Sequence, residues 1–151
     1  MDNWTNFKPR GTVGELAVAK DLILRGYAVF TELGDNARVD LIALVGNTPV
    51  KIQVKTSLGE NGVASFDVVK STFGYKYKYT ESDIDLFALY IMSTDQIIYV
   101  SSKEALQQKS MISFKMAPSG GTNQFKQRFV KDYLDIQKAL TSAGILVDRV
   151  E

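Results

Sequence analysis

Two acids stand where the surrounding pattern asks for apolar residues, and a lysine-bearing strand follows the second of them. Glu15 lies in "GELAVAKDLILRGY" with Val18, Ala19 and Leu22 at i+3, i+4 and i+7, so its carboxylate joins an apolar helical stripe. Asp40 lies in "RVDLIALV", where Val39, Leu41, Ala43 and Val45 fill one strand face and Ile42 and Leu44 share the face of Asp40. Then "VKIQVKTSLG" alternates, with Ile52 and Val54 on one side and Lys51, Gln53 and Lys55 on the other. A carboxylate taken out of water is costly unless something partners it, so each acid is a candidate for chemistry. Ordinary readings compete. Thr12 and Glu15 fit a capping box at a helix start, and Asp40 fits a strand-end residue bonding the "GDNAR" turn.

A connection centred on Asn47 and Thr48 would set Val45 opposite Val50 and, counting back, Asp40 opposite Lys55. Parity puts Gln53 on the same face. Opposed Cβ atoms in an antiparallel pair are about 4.5 to 5.5 Å apart, so Asp40, Gln53 and Lys55 would converge near the strand ends. A plain Asp40–Lys55 cross-strand ion pair remains open, and if exposed it contributes only about 0.2–1 kcal/mol.

Composition narrows what such a cluster can do. The 151 residues include no His and no Cys, which excludes thiolate or imidazole zinc sites, Ser-His-Asp triads and cysteine nucleophiles together. Carboxylates, lysines, hydroxyls and amides are what is left. A net charge of +1 does not announce a nucleic-acid partner, so local patches must carry that reading. Lys109 to Lys131 holds five bases and no acid, and Val68 to Thr80 holds Lys70, Lys76 and Lys78 with no acid. The chain is the size of one domain, expected over residues 1–151, and no stretch approaches the roughly 18 apolar residues of a membrane helix. No secretory signal is visible at the start, so a soluble, cytoplasmic protein is expected.

The elements that must position the cluster follow from periodicity. Thr12 to Arg25 reads as a helix stopped by Gly26, and Tyr27 to Leu33, Ala37 to Val45 and Val50 to Lys55 read as strands. After an irregular stretch, Ile84 to Met92 and Gln96 to Val100 read as strands, Lys103 to Gln108 as a short helix and Met111 to Met116 as a strand. A last helix is expected over about Phe125 to Leu140. "FGYKYKYT" alternates Tyr75, Tyr77 and Tyr79 against Lys76 and Lys78, either as a ribbon for a nucleic-acid groove or as a hairpin with tyrosines on the core. "PSGGTNQFKQR" reads either as a phosphate-binding turn before Lys126 and Arg128 in a first helical turn or as an ordinary loop.

Taken in order, "GELAVAKDLILRGY", "RVDLIAL" and "KIQVKT" resemble the PD-(D/E)XK nucleases of the restriction-endonuclease-like fold. The later "ESDIDLFALYIMSTDQIIYVSS" and "SGGTNQFKQRFVKDY" are similar to its branch of intron-encoded homing endonucleases found in cyanobacterial group I introns. The resemblance implies an α/β (α+β) fold with a central mixed sheet flanked by helices. It implies a metal-dependent endonuclease making site-specific double-strand breaks, with a Holliday-junction resolvase or a catalytically decayed DNA-binding module as alternatives.

By the same resemblance, Asp40 matches the metal-binding aspartate and Lys55 the motif lysine, while Gln53 stands where the family usually has Asp or Glu. Glu15 matches the acid that some members supply from the first helix. The implied metal is Mg²⁺, with Mn²⁺ substituting, held by Glu15, Asp40, Gln53 and the Val54 carbonyl. The implied partner is double-stranded DNA, contacted by Tyr75, Lys76, Tyr77, Lys78, Asn123, Gln124, Lys126 and Arg128, with the Gly59 to Gly62 loop nearby. One site cuts one strand, so a homo-oligomer is expected, either a dimer or a dimer of dimers.

Overall fold

A computed structural model describes residues 7–117 and 127–145. Helix α1 (Phe7–Leu24) opens the chain, followed by β1 (Ala28–Thr31), β2 (Leu41–Val45) and β3 (Thr48–Ser57). Next come β4 (Val63–Asp67), the hairpin β5 (Val69–Thr72) and β6 (Tyr75–Lys78), and then β7 (Leu86–Ile91) and β8 (Gln96–Ser101). Helix α2 (Ser102–Ala105), β9 (Met111–Lys115) and α3 (Ile136–Ser142) complete the order. Five strands form one mixed sheet in the order β1-β2-β3-β7-β8, parallel only between β3 and β7. Strand β4 pairs with β9, and β5 with β6, as two small antiparallel sheets.

The two faces of the large sheet bury different sets of side chains because consecutive strand residues point oppositely. One face packs Leu41, Ala43, Ile52, Val54, Leu86 and Ala88 against Val18 and Leu22 of α1 and Ile136 and Leu140 of α3. The other packs Phe87, Leu89, Ile91, Ile98 and Val100 against Ala64, Phe66, Ile112 and Phe114 from the β4–β9 layer, and against Val68 and Tyr79 at the base of the hairpin. The face of β3 carrying Gln53 and Lys55 belongs to this second side. It looks into protein, not bulk water.

Helix α1 starts at Phe7, five residues before Thr12, so Thr12 and Glu15 lie inside it and the capping-box reading fails. Pro9 is tolerated because an amide in the first turn has no intrahelical partner to lose. Gly26, at φ 94°, terminates the helix as expected, its amide bonding back to the Ile23 carbonyl. Gly14 sets how closely α1 approaches the sheet: a Cβ there would stand 2.0 Å from Thr56 Oγ1 and 3.6 Å from a Val54 methyl.

The β2–β3 turn is Gly46–Asn47, with Gly46 supplying φ 61°. Val45 therefore faces Thr48 rather than Val50, and Leu41 faces Ile52. The register is two residues away from the expected one and keeps its parity. The expected final helix is also shorter. Phe129 is extended and bridges to Lys115, Val130–Asp132 is a 3-10 turn, and among the described residues of that stretch only Ile136–Ser142 is α-helical.

Replacing Gly14 by Ala in an open helix would stabilise it by about 1 kcal/mol. Here the close approach to Thr56 reverses the sign, and urea unfolding of Gly14→Ala should show a loss of about 1–2 kcal/mol. Adding Thr56→Ala should recover most of that loss. A stabilised single variant would mean that α1 does not press on β3 at this point.

Candidate active site

Asp40 stands in the bend immediately before β2 and binds β3 twice. Its amide donates to the Ile52 carbonyl at 3.1 Å, and its carboxylate Oδ2 accepts from the Val54 amide at 2.8 Å. The side chain thus replaces a backbone rung where β2 has ended, satisfying an N–H that would otherwise be orphaned. Asp40 is a strand-end residue, but the backbone it bonds is β3 and not the preceding turn. A β-residue directs its N–H and C=O to the same side, so the Val54 carbonyl points toward Asp40 as well.

Beyond the last β2–β3 pair, Leu41 with Ile52, the Asp40 amide bonds the Ile52 carbonyl, and the Asp40 carboxylate lies within electrostatic reach of the Lys55 ammonium. Gln53 is 8% exposed, and its side chain makes no hydrogen bond among the described residues. The second oxygen of Asp40 receives none either. Glu15, on α1, is near enough to Asp40 for the two carboxylates to repel each other. Burial first, then the charges of Asp40 and Asp35, push its carboxyl above the usual range. Burial likewise pushes Asp40 up, opposed by the Val54 hydrogen bond and by Lys55 and Lys70. Burial pulls the Lys55 ammonium down, opposed by the nearby Asp40 and Asp67.

Gln53 and Lys55 line a cleft of about 480 Å³ with Thr56, Ser65, Asp67, Lys70 and Tyr79. Asp40 lines a different hollow, of about 320 Å³, that includes Phe30 and Val39. The hairpin forms one wall of the first. No group of three His, Cys, Asp or Glu side chains forms a metal cluster among the described residues. The available donor set is two carboxylates, the Gln53 amide oxygen and the Val54 carbonyl. Partly buried carboxylates with raised pKa, beside an amide without a partner, fit a hard divalent cation that would supply the missing charge.

The residues expected to touch DNA are distributed differently. On the hairpin, Tyr75 is 80% exposed and Lys76 is exposed, whereas Tyr77 is covered by the Arg38 guanidinium at 4.1 Å and Tyr79 is buried. Lys78 donates to the Leu106 carbonyl at 2.7 Å. The Gly59–Gly62 loop is a 3-10 turn at Glu60–Gly62, entered through Gly59 at φ 72°. Arg128 is not in a first helical turn; it is paired with Glu104 at 2.9 Å and lines a separate pocket with Tyr133. Asn123, Gln124 and Lys126 lie outside the described residues. Sequence patterning did not single out Asp67, Lys70 or Tyr79 for the site. The alternation of Ala64, Phe66 and Val68 was the signal that could have placed the β4–β5 wall.

The PD-(D/E)XK endonuclease family model matches residues 5–135. The chain belongs to that family. No curated protein matches the sequence. Among solved structures, the bacterial homing endonuclease I-Ssp6803I is similar in fold, with a TM-score of 0.73 and 18% identity over 92% of this chain and 95% of that one. The protein is thus a DNA-binding nuclease of PD-(D/E)XK type, in a family that generally uses divalent metal ions.

Carboxyls raised in the fold bind protons more tightly there than in the unfolded chain, so their contribution is fully present at low pH and is lost as pH rises through the raised values. In chelator at pH 7, Asp40→Asn should melt above the parent, and Glu15→Gln by less because that carboxyl is more exposed to water. The gap should close as pH falls toward the ordinary carboxylate range. Lower melting temperatures at pH 7 would show that these carboxylates are already compensated without metal.

Proposed function

We propose that this nuclease makes Mg²⁺-dependent, site-specific double-strand breaks in DNA, as a homing endonuclease does. The observation that carries the reading is the Asp40 carboxylate bonded to the Val54 amide, between Gln53 and Lys55 in the chain, within electrostatic reach of both Lys55 and Glu15. Glu15, Asp40, the Gln53 side-chain oxygen and the Val54 carbonyl are the residues that would hold the ion, and Mn²⁺ would substitute. When bound, a divalent ion supplies Lewis acidity for phosphodiester hydrolysis and neutralises developing charge.

The remaining work falls to side chains of this chain. Lys55 offers hydrogen bonds to the attacking water and to a phosphate oxygen, and its lowered pKa brings it nearer to accepting a proton. Gln53 contributes an oxygen without charge, so the site binds its cation with one negative charge fewer than a motif carrying Asp or Glu there. Tyr75 and Lys76 at the exposed end of the hairpin meet the duplex. Cutting both strands calls for two active sites, and we assign the working form to a homo-oligomer reading a roughly two-fold target.

Incubation of supercoiled plasmid with Mg²⁺ should give linear product that chelator prevents, and sequencing the ends from a random duplex library should reveal one symmetric target. Preferential cutting of four-way junctions would redirect the assignment to a resolvase. Glu15→Gln, Asp40→Asn and Lys55→Ala should each lower cleavage by at least about a hundredfold while leaving DNA affinity near the parent value. Full activity in all three would remove the assignment. Gln53→Glu should lower the Mg²⁺ concentration needed for half-maximal cleavage, and an unchanged requirement would mean that Gln53 is not a ligand.

A further inference from the structure

Of the residues by which the hairpin lines the cleft, Tyr79 is the buried one. Tyr79 follows β6 and continues its ladder, its amide donating to the Val68 carbonyl at 3.3 Å. It is 2% exposed, in contrast to Phe73 at the hairpin tip, which is 98% exposed. Its ring is fixed by edge contacts with Tyr77 and Phe87, each at 5.7 Å between centroids. Phe87 is the β7 partner of Gln53, so the ring of Tyr79 lies against the strand neighbours of the motif residues. Lys55 Nζ stands 5.1 Å from the centroid of that ring, within the reach of a cation–π contact.

The same hairpin also holds the approach to Asp40. Arg38, two residues before Asp40, lies over Tyr77 at 4.1 Å and is paired with Asp83 at 3.3 Å. Arg38, Tyr77, Tyr79 and Lys55 therefore form a continuous chain of contacts, edge-on between the two rings, from the Asp40 bend to the β3 lysine. A lysine has four rotatable bonds and no fixed direction of its own, so a ring locked on its other sides is what can orient the amine.

We infer that Tyr79 is a positioning residue whose aromatic face orients the Lys55 amine toward the reacting phosphodiester. This rests on the nuclease reading above, and it makes the face of the ring, not the hydroxyl, the functional part. Phenylalanine preserves that face. Ring fluorination withdraws π density while nearly preserving shape, so a graded series separates electrostatics from packing.

The test uses the full-length parent, Tyr79→Phe, ring-fluorinated forms of Tyr79→Phe, and Tyr79→Leu. Single-turnover cleavage of a plasmid-derived duplex is measured with Mg²⁺, and DNA affinity is measured with Ca²⁺. Tyr79→Phe should cleave within about twofold of the parent, and the rate should fall by about tenfold across the fluorinated series at unchanged DNA affinity. In parallel, the Lys55 ε-methylene protons should show upfield ring-current shifts that persist in Tyr79→Phe and vanish in Tyr79→Leu. A rate independent of fluorination overturns the inference, as do Lys55 resonances indifferent to Tyr79→Leu. A parent chain that shows the ring-current shifts but cuts no DNA supports the orienting contact and sinks the nuclease reading instead.

Discussion

One hydrogen bond ties the site to the fold: the carboxylate of Asp40 accepts from the Val54 amide at the point where β2 has run out. Without it, β3 would present a backbone donor at a half-covered sheet end, and Asp40 would be free to swing into water. With it, the carboxylate is held against β3 at Val54, whose carbonyl points into the same region. The contact is both a sheet rung and a piece of active-site geometry. The other features of the site can be read as arrangements around it. Gly14 lets α1 lie close enough to β3 for Glu15 to reach the strand ends, and the β5–β6 hairpin closes the side where Lys55 emerges.

Such an arrangement opposes stability. Two carboxyls are pushed up and one lysine is pulled down, chiefly by burial, which means that each charge is held where the protein disfavours it. The surrounding fold must hold these groups against that preference, and it has the means. The two apolar clusters on either face of the sheet carry most of the buried side chains, and β3 and β7 lie at the middle of the sheet, paired in parallel. Catalytic groups mounted on central strands are more rigidly placed than groups on loops. The same logic applies to Gln53 at 8% exposure on the cleft wall: a neutral amide costs far less to place there than a second aspartate near Asp40 would.

Much of this was legible in the residues. Apolar alternation found the cores of β2, β3, β7 and β8, and the shared face of Gln53 and Lys55 did not depend on the two-residue error in register because strand faces repeat every second residue. The register itself depended on which two residues form the turn, and Gly46–Asn47 and Asn47–Thr48 look alike without the backbone angle at Gly46. The capping pattern of Thr12 and Glu15 misled because the helix begins earlier, at Phe7, with Pro9 in its first turn. The long final helix failed for a similar reason. Phe129 and Tyr133 sit four apart as in a helix, yet Phe129 is extended beside β9 and Tyr133 packs edge-on to Phe114. Tyr79 was visible as one of three alternating tyrosines. That it alone is buried beside Lys55 depends on long-range packing of the hairpin base, which periodicity does not encode.

The most direct measurement is anomalous diffraction from crystals grown with Mn²⁺ and duplex DNA. One metal position should appear within bonding distance of the Asp40 carboxylate, the Glu15 carboxylate and the Val54 carbonyl, with the Gln53 amide oxygen turned toward it. A metal held elsewhere, or a Glu15 side chain turned away from an occupied Asp40 site, would contradict the assembly of this site from α1, β2 and β3.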